Sequence, residues 1–244
     1  MNTRLLHAIA LVAALTALAD EPKGKTTMKR LVYKSDFVNM DDFWAEGGEG
    51  ASVEDGRLHQ KANPPEKGPG YVSTIWCRKP MPENVEVHFK ACVLASVTGV
   101  NNINFFLHYR HPKGLFETQE ERADGGYKRY HGLDGYIFTF LRDTKGEPNA
   151  DGKQKARGRM RRCPGFKLID ETFQGTCEVG QVYEIMIRKV GGQLSYWVDG
   201  KKILEAVDPK PLPGGLLGFR TFRTHLWWSD LRVFDLGKTP QAKD

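Results

Sequence analysis

Val85-Glu86-Val87-His88-Phe89-Lys90 decides the fold class. Its apolar residues recur at every second position, so Val85, Val87 and Phe89 share one face and Glu86, His88 and Lys90 the other. That is the period of a half-buried strand, not of a helix. The same texture extends in both directions: residues 30–37, 56–60, 71–77, 85–94, 102–110, 135–141, 183–189, 194–198, 202–205, 215–222 and 226–234 read as strands. Between them lie Glu54-Asp55-Gly56, Gly191-Gly192, Asp199-Gly200 and the proline-containing runs 80–83 and 209–215, which carry turn and hairpin chemistry. No segment sustains a helical period. Many short strands without intervening helices predict an all-β fold, an antiparallel β-sandwich of jelly-roll type.

Within residues 102–110, Asn102, Asn104, His108 and Arg110 fall on one face and Ile103, Phe105, Leu107 and Tyr109 on the other. A non-core face of amides, imidazole and guanidinium is what the concave side of a sugar-binding sheet needs; a solvated outer sheet explains it equally well. The stretches 112–130 and 143–162 are too long and polar for simple hairpins, and long loops in a compact domain tend to be functional or disordered. Both are expected as walls of a cleft over the concave face.

The chain has 244 residues, 40% of them hydrophobic and 11% aromatic, with a formal charge of +6, so it has the apolar content for a packed core. Residues 1–19 read as an export signal: Arg4 supplies the positive start, an apolar run follows, and Ala17-Leu18-Ala19 is a small-x-small cleavage site. The organisation expected is a signal at 1–19, a polar leader at 20–29, a sandwich domain at 30–237 and a tail at 238–244, secreted or periplasmic and without a membrane anchor after cleavage. Cys77, Cys92, Cys163 and Cys177 all follow the signal; they are either four buried thiols or partners in one of three pairings, Cys163 and Cys177 flanking the shortest loop.

Val182-Tyr183-Glu184-Ile185, residues 194–201 with Asp199-Gly200, Gly215-Leu216-Leu217-Gly218-Phe219-Arg220 and Leu231-Arg232-Val233 together resemble the end of concanavalin A-like lectin/glucanase jelly rolls. Residues 37–44 and 53–58 are similar to the opening strands of that class. A narrower resemblance lies in Arg129-Tyr130-His131, Leu141-Arg142, Arg159-Met160-Arg161-Arg162, Gly165-Phe166-Lys167-Leu168 and Gly218-Phe219-Arg220. These pieces are similar to the YesU-like family of bacterial jelly-roll proteins of unknown function, and the resemblance implies a setting of pectic rhamnogalacturonan breakdown. Cys163-Pro164 and the 143–157 insertion depart from that pattern.

Jelly-roll glycoside hydrolases commonly carry two carboxylates on one strand in a Glu-x-Asp pattern, and none occurs in this sequence. The positive cluster is the stronger signal. Lys153, Lys155, Arg157, Arg159, Arg161, Arg162 and Lys167 fall within 15 residues containing no acidic side chain. Such a density attracts a polyanion, and guanidinium groups hold carboxylate or sulfate bidentately. With export and few aromatics in the stretch, nucleic acid is not expected as the partner; an acidic polysaccharide or oligosaccharide, uronate-containing or sulfated, is.

The function expected is therefore that of a polysaccharide lyase acting by β-elimination, with a non-catalytic carbohydrate-binding protein or a glycoside hydrolase as the alternatives. β-Elimination needs a base, a proton donor and a group that neutralises the uronate carboxylate. His131 and Tyr130 are the candidates for base and acid, with Arg162 or Arg142 as neutraliser. The candidate substrate-binding residues are Asn104, His108, Arg110, Asp134, Arg161, Lys167 and Arg220. Of Trp44, Trp76, Trp197, Trp227 and Trp228, any that face a sugar serve as stacking platforms, Trp227 and Trp228 necessarily on opposite faces. No cofactor and no catalytic metal is expected; residues 149–152 or Asp134 are candidate ligands for a structural calcium. Oligomeric state is left open.

Overall fold

The computed structural model describes residues 29–64 and 70–237. The expected export signal, nearly all of the leader and the tail lie outside the described residues. Among those described, no helix is long and apolar enough to cross a membrane.

Two antiparallel sheets pack face to face. The first has eight strands, in the order β13 (Lys201–Val207), β12 (Gln193–Val198), β11 (Val182–Val190), β6 (Val85–Ser96), β15 (Thr224–Asp235), β4 (Arg57–Ala62) and β3 (Gly50–Glu54), with β1 (Arg30–Ser35) also paired to β15. The second has seven: β10 (Lys167–Thr172), β9 (Ala156–Cys163), β8 (Asp134–Arg142), β7 (Ile103–Arg110), β14 (Leu216–Phe222), β5 (Val72–Cys77) and β2 (Phe43–Gly47). All eleven expected strands are present, and Val85, Val87 and Phe89 face inward as their period requires.

The core between the sheets is aromatic. Phe89 of one sheet stacks on Phe105 of the other at 4.9 Å, and Phe219 meets Trp228 at 4.7 Å. Trp228 brings a polar N–H into this layer, which must find an acceptor there. It donates to Gln60 Oε1 at 2.9 Å, while Gln60 Nε2 donates to Ser73 Oγ and to the Phe219 carbonyl. A fully buried amide thus spans the sheets with its bonds satisfied. Trp227 faces outward under the Arg57 guanidinium, 4.7 Å away.

Two sequence expectations are corrected. Residues 156–162, expected within a cleft-wall loop, instead belong to a strand, β9, paired with β8 and β10, and alternation along β9 sends Arg157, Arg159 and Arg161 to the outer face and Met160 and Arg162 inward. The face assignment of β7 holds only as far as Leu107. His108 takes φ +56 and the register with β8 slips between Leu107 and Arg110, so Tyr109 swings to the outer face and stacks on Phe106 at 4.6 Å.

All four cysteines are free and buried. Cys177 lies in the core between the sheets and Cys163 in a second apolar cluster outside the seven-stranded sheet, so one short loop in sequence ends in two different layers. Under non-reducing conditions, the denatured protein is expected to titrate with four thiols and the native protein with none on the same timescale. A thiol count below four after denaturation would contradict this assignment.

Candidate functional site

The outer face of the seven-stranded sheet carries two parallel rows. Backbone register aligns Trp44, Trp76, Gly218, Phe106, Ile137, Arg161 and Leu168 in one row across the strands. Two residues along each strand, or three on β10 where the register shifts between Leu168 and Asp170, it aligns Glu46, Thr74, Arg220, Asn104, Thr139, Arg159 and Glu171. The first row is apolar across its middle and the second polar throughout, so burial of the first leaves the second to make a site.

The segment between β7 and β8 provides that burial. It folds over the apolar row with two short 3-10 turns, Gln119–Arg122 and Tyr127–Tyr130, placing Leu115 and Tyr130 in a cluster with Trp44, Trp76, Phe106, Tyr109, Ile137 and Cys163. Its anchor is Glu46, which is 2% exposed. The carboxylate accepts from Trp44 Nε1 at 3.3 Å, Trp76 Nε1 at 2.9 Å, Tyr130 OH at 2.8 Å, and Arg122 Nη2 and Nε at 2.9 and 3.3 Å. Arg122 also reaches Thr118 Oγ1 and the Leu115 carbonyl. Charge, countercharge and hydrogen bonds are all matched, as burial of an ion pair demands.

The middle of the polar row, Arg220, Asn104 and Arg159, lies in the floor of a groove of about 1020 Å³. Asn102, Asn104, Arg220, Phe222, Leu141 and Arg159 contribute to the floor, and the wall is the segment from Asp124 to His131. Thr139 donates to Asn104 Oδ1 and Asn104 Nδ2 to Asn102 Oδ1, each at 2.5 Å, so the chain of amides ends on the Asn102 NH₂. Arg220 is 1% exposed; its Nη1 bonds Thr74 Oγ1 at 2.7 Å and the Gly125 carbonyl at 2.9 Å, and its guanidinium lies 4.4 Å from the Tyr127 ring. Arg159 is half-buried with no partner for its Nε, and both burial and the flanking Arg157 and Arg161 work against its charge.

His131 is stacked on Phe166 at 3.9 Å and 4.8 Å from the Tyr127 ring, with its Nε2 buried and unpartnered. The Gly165 N–H donates to the His131 carbonyl at 2.8 Å, tying the β9–β10 turn to this wall. Burial, then Arg220, Arg161 and Lys128, hold the imidazole below its ordinary pKa. Burial raises the Tyr127 phenol, opposed by Arg220, Arg159 and Arg161. A neutral imidazole and a protonated phenol therefore stand side by side.

Of the residues selected from sequence, the structure brings His131, Asn104 and Arg220 to the groove, with Arg161 beside them, 4.2 Å over the Phe166 ring. Tyr130 is fully buried and committed to Glu46, and its phenol is driven up by burial and by that carboxylate. Arg162 and Arg142 fall on the inward parity of their strands; Arg162 pairs with Asp208 at 2.8 Å. His108 is fully buried against the Pro82 carbonyl at 2.9 Å, and burial and Lys189 push its pKa down to about 3. Arg110 and Asp134 sit opposite each other at the far end of β7 and β8, and Lys167 is exposed opposite Arg162; none of the three lines the groove. Among the described residues no three His, Cys, Asp or Glu side chains gather to hold a metal ion, and residues 149–152 form a hydrogen-bonded turn. No tryptophan lines the groove; its aromatic surfaces are Tyr71, Tyr127 and Phe222.

Sequence reasoning places Asn102 on the polar face of its strand and Arg159 in the basic cluster without selecting either as a site residue, and it misses Tyr127 as a groove residue and Glu46 as the anchor. Reading 156–163 at period two would have aligned Arg159 with Arg157 and Arg161.

A family model described as a domain of unknown function, DUF6250, matches residues 70–231. No curated protein matches. Among solved structures, the fold is similar to a protein of unknown function with a galectin-like fold from Bacillus subtilis, at 19% identity and TM-score 0.65, covering 84% of this chain and 97% of that one. It is similar also to the carbohydrate-binding module CBM66 from Bacillus subtilis, at 11% identity and TM-score 0.54, covering 81% and 98%. The exoplasmic/lumenal domain of VIP36, in a form bound to Ca²⁺ and Man3GlcNAc, gives 12% identity and TM-score 0.59, covering 86% and 93%. At these identities the likeness is one of fold. None of these matches names the YesU-like family.

Removing the anchor tests the construction. Glu46→Ala leaves Arg122 buried without a countercharge, and the expected loss of stability is about 3–5 kcal/mol by denaturant unfolding. A loss under about 1 kcal/mol, the range of surface pairs, would mean that the carboxylate is not buried as described.

Proposed function

The chain belongs to the DUF6250 family of domains of unknown function, and from that premise and the groove we propose that it binds an acidic saccharide and cleaves it by β-elimination. The observation that carries the anionic ligand is the character of the groove's few polar groups, set in a largely apolar lining. Arg159, Arg220 and the terminal Asn102 NH₂ offer donors, and Lys128 adds positive charge at the rim. Its one lining carboxylate, Asp124, is already held by the Gly126 N–H at 2.9 Å and by Arg129 at 3.2 Å. A surface of donors with few free acceptors suits carboxylate or sulfate better than neutral hydroxyls, which need partners of both kinds.

Hydrolysis is disfavoured by the same inventory. Inverting and retaining glycosidases both need two carboxyl groups flanking the bond, whereas the groove offers Asp124 alone and Glu46 is sealed under the wall. Elimination fits what is present. In the proposed step, neutral His131 takes the proton from the carbon beside the uronate carboxylate, and Arg220, Arg159 and Asn102 stabilise the charge that develops on that carboxylate. The bond to the oxygen on the adjacent carbon breaks, Tyr127 protonates the departing oxygen, and a carbon–carbon double bond remains. Tyr127 thus takes the role that the sequence assigned to Tyr130. This step uses no cofactor. The shared sandwich of CBM66 and the VIP36 lumenal domain supports a carbohydrate ligand as far as fold supports any. The apolar run within residues 1–19 supports a place outside the cytoplasm.

The test is incubation with polygalacturonate, alginate, glucuronan and a neutral glucan, following ultraviolet absorbance of unsaturated uronate ends. One acidic polymer is expected to give the absorbance, and His131→Ala to lower kcat by about 100-fold or more. Retardation of an acidic polymer in affinity gels without absorbance would leave the carbohydrate-binding reading in place of the lyase; neither signal would refute both.

The pH profile supplies a separate check. Because His131 is held below its ordinary pKa, its neutral form persists into more acidic solution. The acid limb of kcat/KM is therefore expected below the usual histidine value, and neutralising Arg161 should move it upward. An acid limb above that value would exclude His131 as the base in this environment.

A further inference from the structure

We infer that the groove is closed at one end and receives the end of an acidic saccharide chain rather than an internal stretch, a reading that rests on the groove being the saccharide site. Of the polar row, Arg220, Asn104 and Arg159 line the groove, and the row runs on past them to Glu46 on β2 and to Glu171 on β10, two positions that differ in exposure. Glu46 is 2% exposed beneath the wall. Glu171 keeps 22% of its side-chain surface and pairs with Arg157, itself 33% exposed, at 2.8 Å.

The closure is made by backbone. The Gly47 N–H donates to the Ala123 carbonyl at 2.9 Å, pinning Ala123 onto the β2 edge, and the Gly125 carbonyl accepts from Arg220 of β14 at 2.9 Å. Gly47 and Gly125 have φ of +68 and +64. A Cβ on Gly47 would lie 2.8 Å from the Asp124 carbonyl oxygen and from Gly125 Cα; one on Gly125 would lie 2.8 Å from the Glu46 carbonyl oxygen. Two backbones approach here at a distance only glycine permits, leaving no room for a sugar ring to pass between wall and strand. The wall then continues through Asp124, Gly126 and Tyr127 to His131, so one element both flanks the groove and turns across its β2 end.

A chain-end site gives a count that an open cleft does not. For a defined series of oligogalacturonates from disaccharide to long oligomer, with oligomers of glucuronate and alginate in parallel, calorimetric titration is expected to saturate at one protein per saccharide molecule at every length. If cleavage occurs, the unsaturated product should be one short species from the first time point, with the viscosity of the polymer falling slowly. Stoichiometry that rises with chain length, or rapid loss of viscosity with mixed products, would overturn the closed end while leaving the acidic-saccharide site standing. Failure of all these oligomers and polymers to bind would refute the acidic-saccharide reading itself, and the chain-end inference with it.

Discussion

The Glu46 carboxylate, out of water and surrounded by five donor contacts, is the constraint on which the outer face depends. An isolated buried carboxylate is untenable, since desolvation would drive it to take up a proton or draw in water. Here two indoles, a phenol and a guanidinium complete its coordination. Two of the donors, Trp44 and Trp76, come from the sheet, and two, Arg122 and Tyr130, from the covering segment. The carboxylate is thus the joint between floor and wall. Losing any donor leaves a charge short of partners inside an apolar cluster, so the geometry of the segment is set more narrowly than apolar packing alone would set it.

That joint sets the position of the groove. The apolar and polar rows are one strand period apart, and the segment from β7 to β8 covers one and stops at the other. Tyr130 and His131 mark the boundary. The first turns down to Glu46, and the second stacks on Phe166 at the groove's edge. Consecutive residues therefore end in different places, one in the buried cluster and one at the groove, because a short 3-10 turn directs them to different sides.

This boundary also explains how much the sequence disclosed. Strands on regular period two were legible because burial of one face leaves no freedom in register. Legibility ended where a local backbone event changed the phase. The left-handed His108 moved Tyr109 across the sheet, converting a residue read as core into part of the second cluster. Tyr130 and His131 could be named as a pair, but their separation depended on Glu46, 84 residues away in sequence. Arg162 differed from Arg159 and Arg161 only by strand parity, which could not be assigned while residues 143–162 were read as a loop. Composition located the basic cluster; only pairing with β8 and β10 divided it into an inward pair with Asp208 and an outward file.

The outward file is difficult to account for as structure. Arg157, Arg159 and Arg161 stand two residues apart on one face, so each lies in the field of the next, and half-burial strengthens the repulsion. Arg157 is relieved by Glu171, and Arg161 by the Phe166 ring and carbonyl. Arg159, in the middle, has no ion pair among the described residues, and its Nε lacks an acceptor. A sheet selected for stability alone would place a threonine or valine there, as neighbouring strands do with Thr139 and Thr74. An anion in the groove reverses the balance: the repulsion that strains the free protein becomes attraction shared by several donors. On the proposed reading, the crowding of these cations is what favours an anion there.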